Sequence, residues 1–149
     1  MNTRFRIVPD TNIVLASERS TSPHSPNREV FTRWMNDECQ ILISDDTLAE
    51  YAKKLIEHGF HTERIAEFLT LLEFAAEHID IQHFHLPVYP SDLDDIAFLL
   101  CAVNGEATHL VSYDGHFLSM QNPYLFRICP PISFLREIRE NPTPPPQAS

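Results

Sequence analysis

Positive charge is scarce in this chain of 149 residues. Its 11 lysines and arginines stand against 21 aspartates and glutamates, for a formal net charge of −10. That balance excludes a simple basic clamp for nucleic acid and a polybasic membrane-surface binder. It leaves room for acidity that serves a cation. Cysteine is scarce as well: Cys39, Cys101 and Cys129 are too few and too scattered for a disulfide framework and show no Cys-x-x-Cys spacing. Such a set reads as reduced thiols of a cytosolic protein. No stretch approaches the ~18 consecutive apolar residues of a membrane span, and residues 1–12 hold no apolar run of signal-peptide length. A soluble, cytoplasmic protein is expected. With 43% hydrophobic and 21% charged residues, the composition is that of a folded globular chain, and the length suits one domain.

Two stretches lack periodicity. Residues 141–149 carry four of the twelve prolines and no core residue, which reads as a disordered, polyproline-like tail after a domain spanning 1–140. Residues 18–27 (ERSTSPHSPN) read as a polar loop. The remainder alternates between strand-like and helix-like segments. Strands are expected at 5–8, 40–43, 79–82, 108–112 and 124–128. Helices are expected at 12–17, 27–37, 45–57, 62–77, 92–104 and 132–139. This order predicts a three-layer α/β/α domain with a mostly parallel sheet. Continuous apolar strands such as Gln-Ile-Leu-Ile at 40–43 fit a sheet covered on both faces. Ligands of such sheets bind at the carboxyl ends of strands, near a switch in strand order.

Acidic residues fall at those places. Asp10 follows the first strand, and Asp114 follows the strand at 108–112. Each has a second reading: Asp10 as the N-cap of the next helix, Asp114 as part of an Asp-Gly turn. Glu50 sits on the helix at 45–57, three residues after Thr47 in capping-box spacing and ahead of Lys53 and Lys54 as surface ion partners. Asp92, Asp94 and Asp95 open the most apolar helix, where caps and the helix dipole favour acids. Asp95 precedes Phe98, Leu99 and Ala102 on the buried side. Two ionised carboxylates ~4 Å apart repel by about 4 kcal/mol at an effective dielectric near 20. Gathering several of them therefore calls for a cation or for raised pKa values. Oxygen-only sites select Mg²⁺ or Mn²⁺, and such ions support in-line displacement at phosphate. Spacing alone does not bring the acids together.

These residues resemble the PIN-domain family, most closely its branch of toxin components of toxin–antitoxin systems, related to VapC-type ribonucleases. The likeness lies in Asp10-Thr11-Asn12 after a strand, Ser44 to Glu50, Asp92-Leu93-Asp94-Asp95 before an apolar helix, Ser112-Tyr113-Asp114 after a strand, and Pro131 to Leu135 opening the last helix. It covers about residues 5–138. Each motif is weak alone; the ordered set is fairly specific. The resemblance implies a parallel five-stranded sheet with Asp10 and Asp114 on neighbouring central strands. It implies Asp10, Glu50, Asp95 and Asp114 as the acids of an Mg²⁺ or Mn²⁺ site, Asp92 as an accessory acid, and Asn12 and Ser112 as groups that orient carboxylates. The implied reaction is metal-dependent hydrolysis of an RNA phosphodiester by water. The implied partners are a small antitoxin protein and a second copy of the chain.

The sequence departs from the family pattern at three positions. Pro9 stands where an apolar strand residue is usual, Ser112 replaces the commoner Thr but keeps the hydroxyl, and His116 stands where many relatives place another acid. Of the basic residues, Arg28, Arg33 and Lys53 are the candidates for RNA contact. His83-Phe84-His85 has no matching second cluster and reads as a surface loop. The apolar faces at 30–35 and 65–72 offer packing for partners, with core burial expected for most of their side chains. A non-catalytic interaction module on the same fold is the alternative, consistent with the net charge. A phosphatase of the haloacid-dehalogenase type would need a second Asp at position 12, which is Asn.

Overall fold

The structure is a computed structural model that describes residues 5–119 and 121–141, apart from the side chains of residues 116 and 119. The proposed tail at 141–149 lies outside the described residues except for Asn141. Five strands, β1 (Arg6–Pro9), β2 (Gln40–Ile43), β3 (Glu77–His78), β4 (His109–Val111) and β5 (Arg127–Cys129), form one sheet in the order β3-β2-β1-β4-β5. Every pairing is parallel. The α-helices are α1 (Thr11–Arg19), α2 (Pro26–Met35), α3 (Asp45–Glu57), α4 (Thr62–Ala75), α5 (Ile96–Asn104), α6 (Gly115–Ser119) and α7 (Pro131–Glu140), and a 3₁₀ turn at Leu93–Asp95 leads into α5. The expected α/β class with a parallel five-stranded sheet flanked by helices is the one observed.

The apolar runs account for the layers. Ile7, Val8, Ile41, Leu42, Ile43, Leu110 and Val111 have no measurable exposure, so both faces of the central strands are covered. Each such side chain contributes about 1.5–3 kcal/mol relative to exposure. Helix α5 packs on β1, β2 and β4, while α7 packs on β4 and α2. Phe5 meets Phe134 edge-on at 5.8 Å. The faces at 30–35 and 65–72 are largely spent on this core: Val30, Trp34, Ile65, Phe68 and Leu72 are buried, and Met35 is left 54% exposed.

Boundaries depart from the periodic reading where side chains do not set them. β3 is two residues at Glu77–His78 rather than 79–82, because it is an edge strand defined by backbone pairing with Leu42 and Ile43. Ile79 is buried beyond it, with its amide donating to the Ile43 carbonyl at 2.7 Å. β5 falls at Arg127–Cys129, displaced toward the chain end from 124–128. The segment at 18–27 is shorter as a loop, since α1 runs to Arg19 and α2 begins at Pro26, a residue suited to a first helical position. The first turn of the helix expected at 92–104 is 3₁₀, with the Asp92 carboxylate accepting from the Asp94 amide.

β1 lies at the centre. The chain builds β2 and β3 on one side of it, then crosses to build β4 and β5 on the other. The carboxyl ends of β1 and β4 thus flank the switch in strand order, where such sheets open a crevice.

Candidate active site

Asp10 ends β1 and caps α1. Its Oδ1 accepts from the amides of Asn12 at 3.0 Å and Ile13 at 3.4 Å. The cap reading of Asp10 and its place in the crevice hold together. The parallel register pairs Pro9 with Val111, which sets Asp10 beside Ser112. The Ser112 hydroxyl donates to Asp10 Oδ2 and accepts from the Asp114 amide at 2.9 Å. One buried hydroxyl therefore fixes the carboxylate of β1 and the backbone carrying the carboxylate after β4. The contact that Asn12 makes with Asp10 comes from its backbone amide. Pro9 is tolerated because the ladder is continued by the Asp10 amide, which donates to the Val111 carbonyl at 3.0 Å. The Pro9 carbonyl accepts from the fully buried Tyr51 hydroxyl at 2.5 Å, tying the end of β1 to α3.

Glu50 comes from α3. The cap of that helix is made by Ser44 and Thr47: the Thr47 amide donates to Ser44 Oγ at 3.2 Å, and the Ser44 amide donates to Thr47 Oγ1 at 2.8 Å. Thr47, not Glu50, closes the capping box, so the capping role read from the spacing of Thr47 and Glu50 is corrected. Glu50 Oε2 is buried without a hydrogen-bond partner among the described residues.

Asp10, Glu50, Asp92, Asp94, Asp95 and Asp114 line one cleft of about 170 Å³, together with Thr11, Asn12, Leu15, Lys54, His58 and Phe98. A larger hollow of about 430 Å³ between the end of α5 and residues 123–126 is mostly apolar, with Glu106 as its acid. The electrostatics of the small cleft follow from its geometry. Burial pushes Asp95 up to about 7, helped by the charges of Asp92, Asp114 and Asp10 and by a hydrogen bond shared with Asp114. Burial raises Asp10 to about 6 against the bonds from Ser112, Ile13 and Asn12. Glu50 is raised by burial and by Asp94, with Lys53 and Lys54 opposing. Among the described residues, no three carboxylate, imidazole or thiolate side chains stand as a ready ligand set. The cleft supplies hard oxygen donors, a buried oxygen without a partner and crowded charge. It does not present them closed around a point.

The candidate basic residues are dispersed. Lys53 reaches the rim, 3.8 Å from Asp94. Arg33 is held by Glu29 at 2.8 Å and Glu38 at 2.6 Å, and Arg28 donates to the Ser20 carbonyl; neither borders the cleft. Lys54 and His58 do border it. Glu50, Lys54 and His58 are spaced four apart and share one stripe of α3 and its cap, a sequence signal that places Lys54 and His58 beside the acid. The reading of His116 falls on a side chain outside those described.

A family model for the PIN domain matches residues 6–116, and the chain belongs to that family. Solved structures share the fold. VapBC2 from Rickettsia felis, bound to a DNA fragment from its promoter, superposes with a TM-score of 0.57 at 18% identity, over 84% of this chain and 98% of that one. Mycobacterium tuberculosis VapC20, a sarcin-ricin loop cleaving toxin, gives a TM-score of 0.50 at 16% identity over 76% and 93%. The Trypanosoma brucei RRP44 PIN domain gives 0.50 at 14% identity over 93% and 83%. No curated protein matches the chain. Among the described residues no helix is long and apolar enough to cross a membrane.

Proposed function

We propose that the chain is a divalent-cation-dependent endoribonuclease, the toxin of a toxin–antitoxin pair. The observation that carries this reading is the gathering of Asp10, Glu50, Asp95 and Asp114, drawn from four separate segments, at the switch point of the sheet. Carboxylates crowded into a half-buried cleft, three of them with raised pKa values, fit Mg²⁺ or Mn²⁺ in donor chemistry. Asp10, Glu50, Asp95 and Asp114 would hold the ion, with Asp92 at the rim. When bound, such an ion activates water and offsets charge developing at phosphate.

The protein's own groups have assigned tasks. Ser112 and the amides of Asn12 and Ile13 hold the Asp10 carboxylate in one orientation. Tyr51 braces the strand end from which Asp10 projects. Lys53 and Lys54 draw Asp94 toward α3, 3.8 and 3.9 Å from its Oδ2, and temper the field at Glu50. Lys53 stands at the rim where a strand of RNA would pass. The likeness to VapBC2 and VapC20 supports a small antitoxin as partner and a cytoplasmic setting. The net charge of −10 favours a second reading, a PIN-fold interaction module without catalysis.

The test is incubation of the purified chain with several RNAs in EDTA, Mg²⁺ or Mn²⁺, beside Asp10→Asn and Asp95→Asn. Cleavage that needs the cation and falls by at least about a hundredfold in both variants is expected, since loss of a ligand exceeds the 10–100-fold typical of a supporting residue. Equal cleavage by all three proteins marks a contaminant. No cleavage by any of them favours the interaction module.

A further inference from the structure

A second hollow, of about 330 Å³, adjoins the acidic cleft and is lined by Glu18, Arg19, His58, Phe60, His61 and Arg64. His58 borders both hollows. The Arg19 guanidinium, at the end of α1, donates from Nη2 to His58 Nδ1 at 2.5 Å and lies 5.9 Å from the centroid of the Phe60 ring. An imidazole that accepts at Nδ1 carries its proton on Nε2, which leaves that nitrogen as a donor. Arg64 and Glu18 pair at 2.7 Å and cancel each other. Among the described residues no carboxylate forms an ion pair with Arg19. In a chain with a formal charge of −10, this cation is left with spare hydrogen-bonding capacity beside the most acidic hollow.

A polyanion approaching six carboxylates needs an anchor outside them. A guanidinium suits that task, because its planar fork meets two phosphate oxygens at once. Phe60 beneath it limits its orientations and favours the cation through the ring face. Lys54 continues the basic rim toward the acids, one helical turn before His58. Arg28 and Arg33 have no such relation to the cleft.

We infer that the Arg19–His58–Phe60 hollow binds a phosphate of the single-stranded RNA entering the acidic cleft, next to the phosphate placed at the acids. The inference rests on the ribonuclease reading and names the part of that site that grips substrate. Arg19 takes the phosphate, His58 donates from Nε2, and both are positioning residues.

The experiment measures binding of a fluorescent single-stranded oligoribonucleotide by anisotropy, in the Asp95→Asn chain so that the strand stays whole. Arg19→Gln is compared, at several salt concentrations, with Arg136→Gln as control, at an exposed residue of α7 that lines neither hollow. The expected result is about tenfold weaker binding for Arg19→Gln, in line with loss of a charged hydrogen bond. The slope of log affinity against log salt flattens by about 0.7, the value for one phosphate on a single strand. Arg19→Lys recovers part of the affinity, His58→Ala loses less than Arg19→Gln, and Arg136→Gln matches its parent. In the cleaving chain, Arg19→Gln raises KM and keeps kcat. Equal affinity and slope in Arg19→Gln and its parent overturn the inference, and wild-type cleavage in the same assay would leave the ribonuclease reading standing. Loss of RNA binding in Arg19→Gln by a chain that never cleaves RNA upholds the phosphate site and removes the hydrolytic reading. If Arg19→Gln keeps RNA affinity but loses affinity for a glutamate-rich peptide, the hollow belongs to a protein partner and the inference falls.

Discussion

The two ends of the sheet treat charge in opposite ways. At the amino ends of the strands, charges are matched. Arg6 forms a bidentate pair with Glu77 at 2.8 and 2.7 Å and also donates to the Gly105 carbonyl. Buried His109 shares a 2.8 Å contact with Glu137, which in turn meets Arg127 at 3.1 Å. At the carboxyl ends, carboxylates face carboxylates. The Arg6 bond holds Glu77 below the usual range, whereas burial and neighbouring acids hold Asp95 above it. One end contributes to stability; the other costs stability to keep a concentrated negative field, which is the pattern expected of a functional site.

The contrast is broken most severely by removing its hinge. Ser112→Ala releases Oδ2 of Asp10 while the Asn12 and Ile13 amides keep Oδ1, and a 10–100-fold loss of cleavage is expected with the fold retained, read from initial rates and circular dichroism. Next is Tyr51→Phe, which leaves the buried Pro9 carbonyl without its donor. It should lose about 1–3 kcal/mol, seen as a lower urea midpoint with an unchanged m-value.

Third is the sign of neutralising a carboxylate at the acidic end. Between 3.8, the ordinary aspartate value, and about 7, the folded chain holds a proton on Asp95 that the unfolded chain has lost. Asp95 therefore makes stability fall as pH rises through that window. Asp95→Asn should gain about 1–2 kcal/mol at pH 8, reduced for solvent screening at a half-buried group. The gain should fade toward pH 4, as followed by Tm across pH. The smallest effect comes from the other end. Glu77→Gln should cost about 0.5–1 kcal/mol, the range of a partly exposed pair. That cost should shrink as pH falls below the ordinary glutamate range, because a group with a depressed pKa lends its stability above that range. Equal signs for the two neutralisations would refute the contrast between the ends.

Much of this was legible in the sequence. β2 and α3 fall where the residues place them, because a continuous apolar run, a Ser cap and a long amphipathic helix each state their own limits. Asp10 and Asp114 were legible as acids at strand ends. What stayed hidden depends on partners distant in the chain. β3 exists through pairing with β2. α6 is five residues long and too short for a period to show. Glu50 was obscured by a Thr–Glu spacing that imitates a cap, whereas the buried Ser44–Thr47 pair makes it. The Arg19–His58 contact joins residues 39 apart, which no local pattern reveals.

The hydrogen shared between Asp95 and Asp114 has a consequence for loading. Were a divalent ion to bind there, as proposed above, that hydrogen would have to leave, and binding would release a proton. In that reading acidification weakens binding of the ion without any second protein, which a titration of added Mg²⁺ or Mn²⁺ at several pH values would show.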